Sequence, residues 1–400
     1  MIQVIQASLC GMLPINILPI RYFRAMNNLD EVLEKYNFEL PPTLIAKYPH
    51  EKRSDGKLLE LTPNGKINHA DLQFSQLANL LEPNDLLIFN DTRVEKRRVF
   101  LQRKTGAKLE TVFLQEDAKK NVWQCLIKKA AKLNFDETIF SIKNPHIEFV
   151  YLGRHKTNSQ ICLLQANTSI DFTVFEQIGN MPIPPYFNRP AEEIDDLYYQ
   201  SIFAQKGKSA AAPTASLHFD TDLMDKLAKK NIQSEFLTLN VSFGTFSPLT
   251  QTNLDEKKLH HESFEISHKL LKKLQNHDYN RLIAVGTTTL RVLETLFLQN
   301  RGSYASITQL PLHSYIVAGE KHFSGEIDSF FLPPHQINSI DGLITNFHLP
   351  ASTLLMLICC IQPRKSILDL YKEAISRKMK FFSYGDGTLL WRQSMKAGSK

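Results

Sequence analysis

Nothing in this 400-residue chain approaches the roughly 18 uninterrupted apolar residues of a membrane span, so a membrane-spanning role is the first class to drop. Cysteine is sparse and unpatterned. Cys10, Cys125 and Cys162 stand alone, and Cys359 and Cys360 are adjacent in an apolar run. Neighbours on a helix point about 100° apart, which does not suit joint metal ligation, and no disulfide framework emerges. The expectation is small core residues in a reducing cytoplasm, with no metal. Charge of one sign is also scarce: 47 Lys and Arg against 41 Asp and Glu give +6. That mild excess is compatible with a polyanionic partner but is no nucleic-acid signature by itself. Internal repeats and low-complexity linkers are absent.

Residues 1–25 lack a basic start, and Pro14 and Pro19 interrupt their apolar part. That makes a poor secretory signal. Met26 follows before a polar stretch, so 1–25 is expected to be a disordered leader or a mis-called start, outside the fold.

The remaining length exceeds what one small core uses, and its rhythm changes along the chain. From about residue 97 to 174 come short alternating runs, "RRVFLQR", "AKLETVFLQ", "VWQCLIKKA", "TIFSIK", "IEFVYLG" and "QICLLQA". Spaced by about ten residues and bounded by turn formers, they predict a small β-barrel or sandwich, a barrel insertion being the simplest architecture. Before and after it, strands alternate with helices: "SEFLTLNVS" and "RLIAVG" as strands; "DTDLMDKLAKKN", "FEISHKLLKKLQNH" and "TTTLRVLETLFLQN" as helices. The fold class is therefore α/β, a large layered domain at 26–95 and 176–400 interrupted by a barrel at 96–175.

Three apolar strands end in polar clusters: "LLIFNDTR", "LIAVGTTTLR" and "GLITNFHLP". In open α/β sheets, ligands bind beyond the carboxyl ends of the strands. Asn90, Asp91, Thr92 and Arg93 would meet Gly286, Thr287, Thr288, Thr289 and Arg291 there, with Thr345, Asn346 and His348. The helix starting near Thr287 adds open backbone N–H groups. Taken singly, each cluster has a structural explanation, Thr287 or Thr288 as an N-cap and Asn90–Asp91 as a turn. Three such edges in one chain point to a site.

Other stretches stand out. "MPIPPYFNRP" is an extended proline-ordered segment ending near Arg189. "AAAPTASLHF" brings small residues up to His218, a possible acid or base. "KLHHESFEI" sets two histidines beside Glu262 without the helical i, i+4 spacing of a metal site. "FFSYGDG" reads as a turn.

In this order, "LIAKYPHEKRSDGKLL", "DLLIFNDTRV", "TGAKLE", "GNMPIPPYFNR", "YYQSIFA", "AAPTASLHF", "FGTFSPL", "LHHES", "RLIAVGTTTLRVLE", "DGLITNFHLPASTLLML" and "FFSYGDG" resemble the S-adenosylmethionine:tRNA ribosyltransferase-isomerase family of queuosine biosynthesis, over about residues 38–387. The resemblance implies an α/β domain with an inserted barrel and a metal-free reaction. S-adenosylmethionine is the co-substrate: its ribosyl group passes to an aminomethyl-deazaguanine at the tRNA wobble position. For that chemistry the proton-transfer candidates among these motifs are His218, His348 and Asp91. Gly286, Thr287, Thr288, Arg291, Thr345 and Asn346 would contact S-adenosylmethionine or the base. Tyr186 and Phe219 would stack, and Arg53, Arg93, Arg189, Arg97 and Arg98 would meet phosphates of the anticodon stem-loop. A cytoplasmic monomer is expected. The chain departs from the family pattern where Lys208, Ser216 and Ser242 replace glycines, Asn240 a histidine and Pro334 a glycine; Ser216 and Ser242 are expected to narrow or reshape the pocket. Two alternatives are a non-catalytic tRNA-binding paralogue and an S-adenosylmethionine-dependent RNA methyltransferase. The glycine-rich loop usual in the latter is missing.

Overall fold

The structure, a computed structural model, describes residues 29–117, 121–156, 158–241 and 249–393, except the side chains of 69 and 206–208. The leader 1–25, Ser242 and the side chain of Lys208 lie outside the described residues.

The organising element is a mixed ten-stranded sheet. Its order is His313–Val317, Glu320–Ser329, Lys258–Ser267, Gln233–Leu239, Leu86–Asn90, Leu282–Val285, Gly342–Asn346, Gly387–Trp391, Lys57–Leu61 and Ile67–Gln73. The four strands from Gln233–Leu239 to Gly342–Asn346 run parallel. Gly387–Trp391 is antiparallel to the last of them, so Gly387 stands opposite Asn346 at the same edge.

Leu86–Asn90, Leu282–Val285 and Gly342–Asn346 are buried at every residue, which is why they read as unbroken apolar runs. Side chains alternate between two cores. Leu86, Ile88, Ala284 and Leu343 face one core, shared with Leu290 and Leu293 of the helix Thr287–Gln299. Leu87, Phe89, Ile283, Val285 and Ile344 face the other, with Leu223 and Leu227 of the helix Thr221–Lys229. Asp220 caps that helix, its carboxylate accepting from Leu223 N at 2.9 Å.

The insertion is a closed antiparallel barrel of Arg98–Arg103, Lys108–Glu116, Val122–Ile127, Cys162–Ala166, Glu148–Arg154 and Thr138–Ser141, sealed by the pairing of first and last strands. Phe175 and Ile178 of the helix Phe172–Ile178 belong to its core. Gly179 and Asn180 then pair with Val99 and Arg98, so the chain leaves the barrel past position 175.

One expected helix is corrected. In "FEISHKLLKKLQNH", Phe264–Ser267 finishes the strand Lys258–Ser267, and the helix His268–Asn276 starts at its Ser267 cap. The alternating Phe264 and Ile266 face the sheet core, a period of two that a helix would not give.

Candidate active site

The carboxyl ends of the four parallel strands lie along one edge, and the polar clusters meet there. Asn90 is fully buried and continues the ladder beyond the strand. Its Nδ2 donates to Leu239 O at 3.1 Å, and its Oδ1 accepts from Leu239 N at 3.0 Å and Thr92 N at 3.1 Å. Next to it Asp91 is half-buried and accepts from Thr238 Oγ1 at 2.6 Å. Asn240 takes a hydrogen bond from Thr92 Oγ1 at 3.2 Å. Arg93 points outward, its guanidinium 4.5 Å from the Phe172 ring at the seam with the barrel.

At the next strand end the helix Thr287–Gln299 begins without a side-chain cap. Gly286 is its N-cap, at φ 92° and ψ 148°, a backbone state open essentially to glycine alone. The expected Thr cap is therefore a correction. Thr289 Oγ1 turns back to Val285 O at 3.0 Å, and Thr288 Oγ1 lies 3.5 Å from Asn90 Nδ2. The first-turn N–H groups and the positive end of the helix dipole are left for something else. One turn on, buried Arg291 pairs through Nη1 with buried Glu262.

The third strand end binds a second segment. Asn346 Nδ2 donates to Phe382 O and to His218 Nε2, each at 3.0 Å. His218, at the end of the 3-10 turn Thr214–His218, lies flat on Phe74 with ring centroids 3.8 Å apart. Gly56 makes room for it: a Cβ there would stand 3.0 Å from His218 Nδ1. The ring also hydrogen-bonds the Arg53 backbone. Burial drives its pKa down to about 3, against the opposing pull of Asp386. His348 is likewise buried, its Nε2 3.1 Å from Thr345 Oγ1, and burial alone lowers its pKa to about 3. Both imidazoles are thus neutral at physiological pH and engaged in hydrogen bonds, which makes them weak bases. Of the three proton-transfer candidates, Asp91 is the half-exposed one.

The remaining candidates divide between the fold interior and the neighbourhood of this edge. Phe219 is fully buried in an aromatic cluster, its ring 4.8 Å from Phe89, so it has no free face for a base. Arg189 forms a bidentate pair with fully buried Asp195 at 2.7 and 2.8 Å and donates to Lys47 O at 2.9 Å. These bonds tie it to the fold. Arg53 donates to Leu197 O at 2.8 Å and to Tyr198 and Leu217 carbonyls, beside His218. Arg97 pairs with Glu95, and Arg98 with Glu110 and Ile183 O. Tyr186 is half-buried, its hydroxyl 2.5 Å from Ser383 Oγ, and burial raises its pKa to about 12. The Ser216 hydroxyl is buried without a hydrogen-bond partner.

Two residues stand at this edge unassigned by the sequence. Asp386 accepts from Lys57 N at 2.6 Å and Lys380 N at 2.7 Å, with His50 Nε2 at 3.4 Å. The "YGDG" string gave only a turn. Glu262 was considered solely as a metal ligand, whereas its partner is Arg291, on a different element. Among the described residues no group of three or more His, Cys, Asp or Glu is placed to hold a metal.

Fold and edge together define a layered α/β protein whose polar clusters gather at the carboxyl ends of its parallel strands. Residues 33–390 match the model of a family described as queuosine biosynthesis protein. The chain belongs to that family. It is 37% identical over 402 residues to an S-adenosylmethionine:tRNA ribosyltransferase-isomerase of Psychrobacter arcticus, covering 92% of this chain and 95% of that one. It is 38% identical over 362 residues to the protein of that name from Acinetobacter baylyi, covering 90% and 98%. A crystal structure of S-adenosylmethionine tRNA ribosyltransferase from Thermotoga maritima matches with 28% identity, 89% and 99% coverage and a TM-score of 0.47.

Proposed function

We propose that this chain transfers and isomerises the ribosyl group of S-adenosylmethionine onto the 7-aminomethyl-7-deazaguanine at the tRNA wobble position, giving epoxyqueuosine-tRNA with release of adenine and methionine. The observation that carries this reading is the near-complete overlap with relatives of that name, 90% of this chain against 98% of the Acinetobacter baylyi protein.

The chemistry sets requirements that the strand edge can meet. The sulfonium acidifies the adjacent C5′ protons, so a base must lie close, and the attacking amine must be neutral. Asp91 is the carboxylate we assign to proton uptake, oriented by the Thr238 hydroxyl at 2.6 Å. His218, His348 and Thr345 serve as a neutral, rigid hydrogen-bonding wall. Asn346 Oδ1 is a buried acceptor without a partner. It suits an N–H-bearing ligand such as the adenine amino group or the deazaguanine edge. Gly286, Thr287 and Thr288 offer helix N–H groups to the donor, and Tyr186 offers a flat flank to the base. Exposed Arg93 is the cation assigned to the anticodon stem-loop. The protein works as a monomer in the cytoplasm, without a metal.

Incubation with S-adenosylmethionine and tRNA carrying the aminomethyl-deazaguanine tests this, read by nucleoside mass spectrometry and free adenine. Epoxyqueuosine with equimolar adenine is the expected result. S-adenosylhomocysteine would mean a methyltransferase, and bound tRNA with intact donor would mean a binding module. Either overturns the reading.

A further inference from the structure

We propose that the unpartnered side of the Arg291 guanidinium is the seat of the α-carboxylate of S-adenosylmethionine. The inference rests on the functional reading above and deepens it by assigning one ligand group to one protein group.

Arg291 is only 7% exposed, on the second turn of the helix Thr287–Gln299. Its Nη1 donates to the carboxylate of Glu262, which is 4% exposed on the strand Lys258–Ser267. Its Nε and Nη2 are buried and have no hydrogen-bond partner. A guanidinium has five N–H groups in a rigid plane, and the Nε–H and the adjacent Nη2–H point the same way. What is left unpartnered is therefore one complete side of the guanidinium, the fork that takes two oxygens of one planar group. Buried donors are rarely left unmade, and each costs about as much as a lost hydrogen bond. Glu262 holds the plane of the guanidinium in place from the Nη1 side.

Charge fits an anion as well. Arg291 and Glu262 neutralise each other, so an added carboxylate needs further positive potential. It stands one turn away: Thr287 and Thr288 lie four and three residues before Arg291, on the same helix face, at an end whose N-cap, Gly286, has no side chain to cap it.

Three ligand groups in this reaction could meet such a fork. A guanine presents O6 and N7 to arginine, but the deazaguanine has carbon in place of N7 and offers a single acceptor. A phosphate of a polynucleotide would have to be carried to a side chain that is more than nine-tenths buried, whereas Arg93 is exposed. The donor's amino-acid carboxylate is small, planar and at a free end, and it presents two oxygens. The fork is assigned to it.

The test compares binding of S-adenosylmethionine with binding of its decarboxylated analogue to the full chain by titration calorimetry. The wild-type protein is expected to prefer the carboxylated donor by roughly tenfold or more, the scale of a charge-assisted bidentate pair. In Arg291→Lys, which keeps the charge and loses the fork, the preference should fall to about twofold with little change for the analogue. Equal wild-type affinity for the two compounds overturns the inference and needs no variant. So does a preference that persists in a folded Arg291→Lys protein. If that variant instead binds tRNA less tightly with a shallower salt dependence, the fork takes a phosphate and the inference is overturned. Should the wild-type chain bind neither compound, the functional reading falls, and this inference with it.

Discussion

Asn346 Nδ2 lies 3.0 Å from His218 Nε2 and 3.0 Å from Phe382 O. One amide thus ties the end of a central strand to the turn that carries His218 and to the segment leading into Gly387–Trp391. The donor is the amide nitrogen, so His218 Nε2 is an acceptor and the ring proton sits on Nδ1. The edge of the sheet and the tautomer of a buried histidine are fixed by the same group.

Replacing the amide by a carboxylate reverses that polarity. In Asn346→Asp two acceptors would face Phe382 O and His218 Nε2, so folding at pH 8 should cost about 1–3 kcal/mol relative to wild type. The carboxylate or the imidazole must gain a proton to restore a donor. Its folded pKa is then raised above the unfolded value, and its stabilising contribution returns as pH falls. Urea unfolding of both proteins at pH 8 and 5.5 checks this. The penalty should shrink at the lower pH, and one that grows would mean that His218 does not depend on Asn346 for its tautomer.

Wild type should show the opposite trend. His218 and His348 have folded pKa values of about 3, against about 6.5 for an unfolded histidine. Above pH 6.5 both states are neutral and these residues contribute no pH dependence. Between 6.5 and about 3 the unfolded chain binds protons that the folded chain refuses, so stability falls with pH. The limiting slope is about 1.4 kcal/mol per pH unit for each histidine. Asp195 and Asp220 have depressed pKa values, and their contribution is lost only below the ordinary carboxylate range. Between pH 6.5 and 4.5 the histidines act alone among these four groups. Urea midpoints over that range should fall steadily, His268, whose pKa burial also lowers, adding to the fall, and His348→Gln should make it shallower.

The strands of the site were legible because parallel strands buried on both faces leave continuous apolar runs, and polar residues start where the strand leaves the sheet. The barrel was legible through its period of two. Contacts between distant segments were not. Phe219 is covered by Phe89, and Arg189 is held by an Asp195 whose other partners include Tyr384. Nothing local in "SLHF" or "FNRP" says which face is already taken. The Arg291–Glu262 pair joins a helix to a strand, so neither residue points to the other by spacing. Gly286 was visible, yet its threonine neighbours looked like the caps. Only the positive φ shows that the glycine itself starts the helix.

Arg189 and Arg93 separate fold from recognition. Asp195 is fully buried and accepts from Arg189 twice, from Glu192 N at 2.9 Å and from Tyr384 OH at 2.9 Å. Its carboxyl is held below the usual range because these bonds outweigh its burial. Arg189→Met leaves that charge buried without its cation, a loss of about 3–5 kcal/mol. An arginine that contacts no phosphate releases no counterion, so the slope of log Kd for tRNA against log salt should stay unchanged in whatever fraction folds. Arg93 is exposed and bound mainly to the face of Phe172, so Arg93→Ala should leave the unfolding midpoint close to wild type. If Arg93 meets a phosphate, the salt slope should drop by about 0.7–0.9. Filter-binding titrations between 50 and 200 mM salt, beside urea unfolding curves, measure both. A reduced slope in Arg189→Met with Arg93→Ala unaffected would exchange the two assignments and move the tRNA from the barrel seam to the proline-ordered segment.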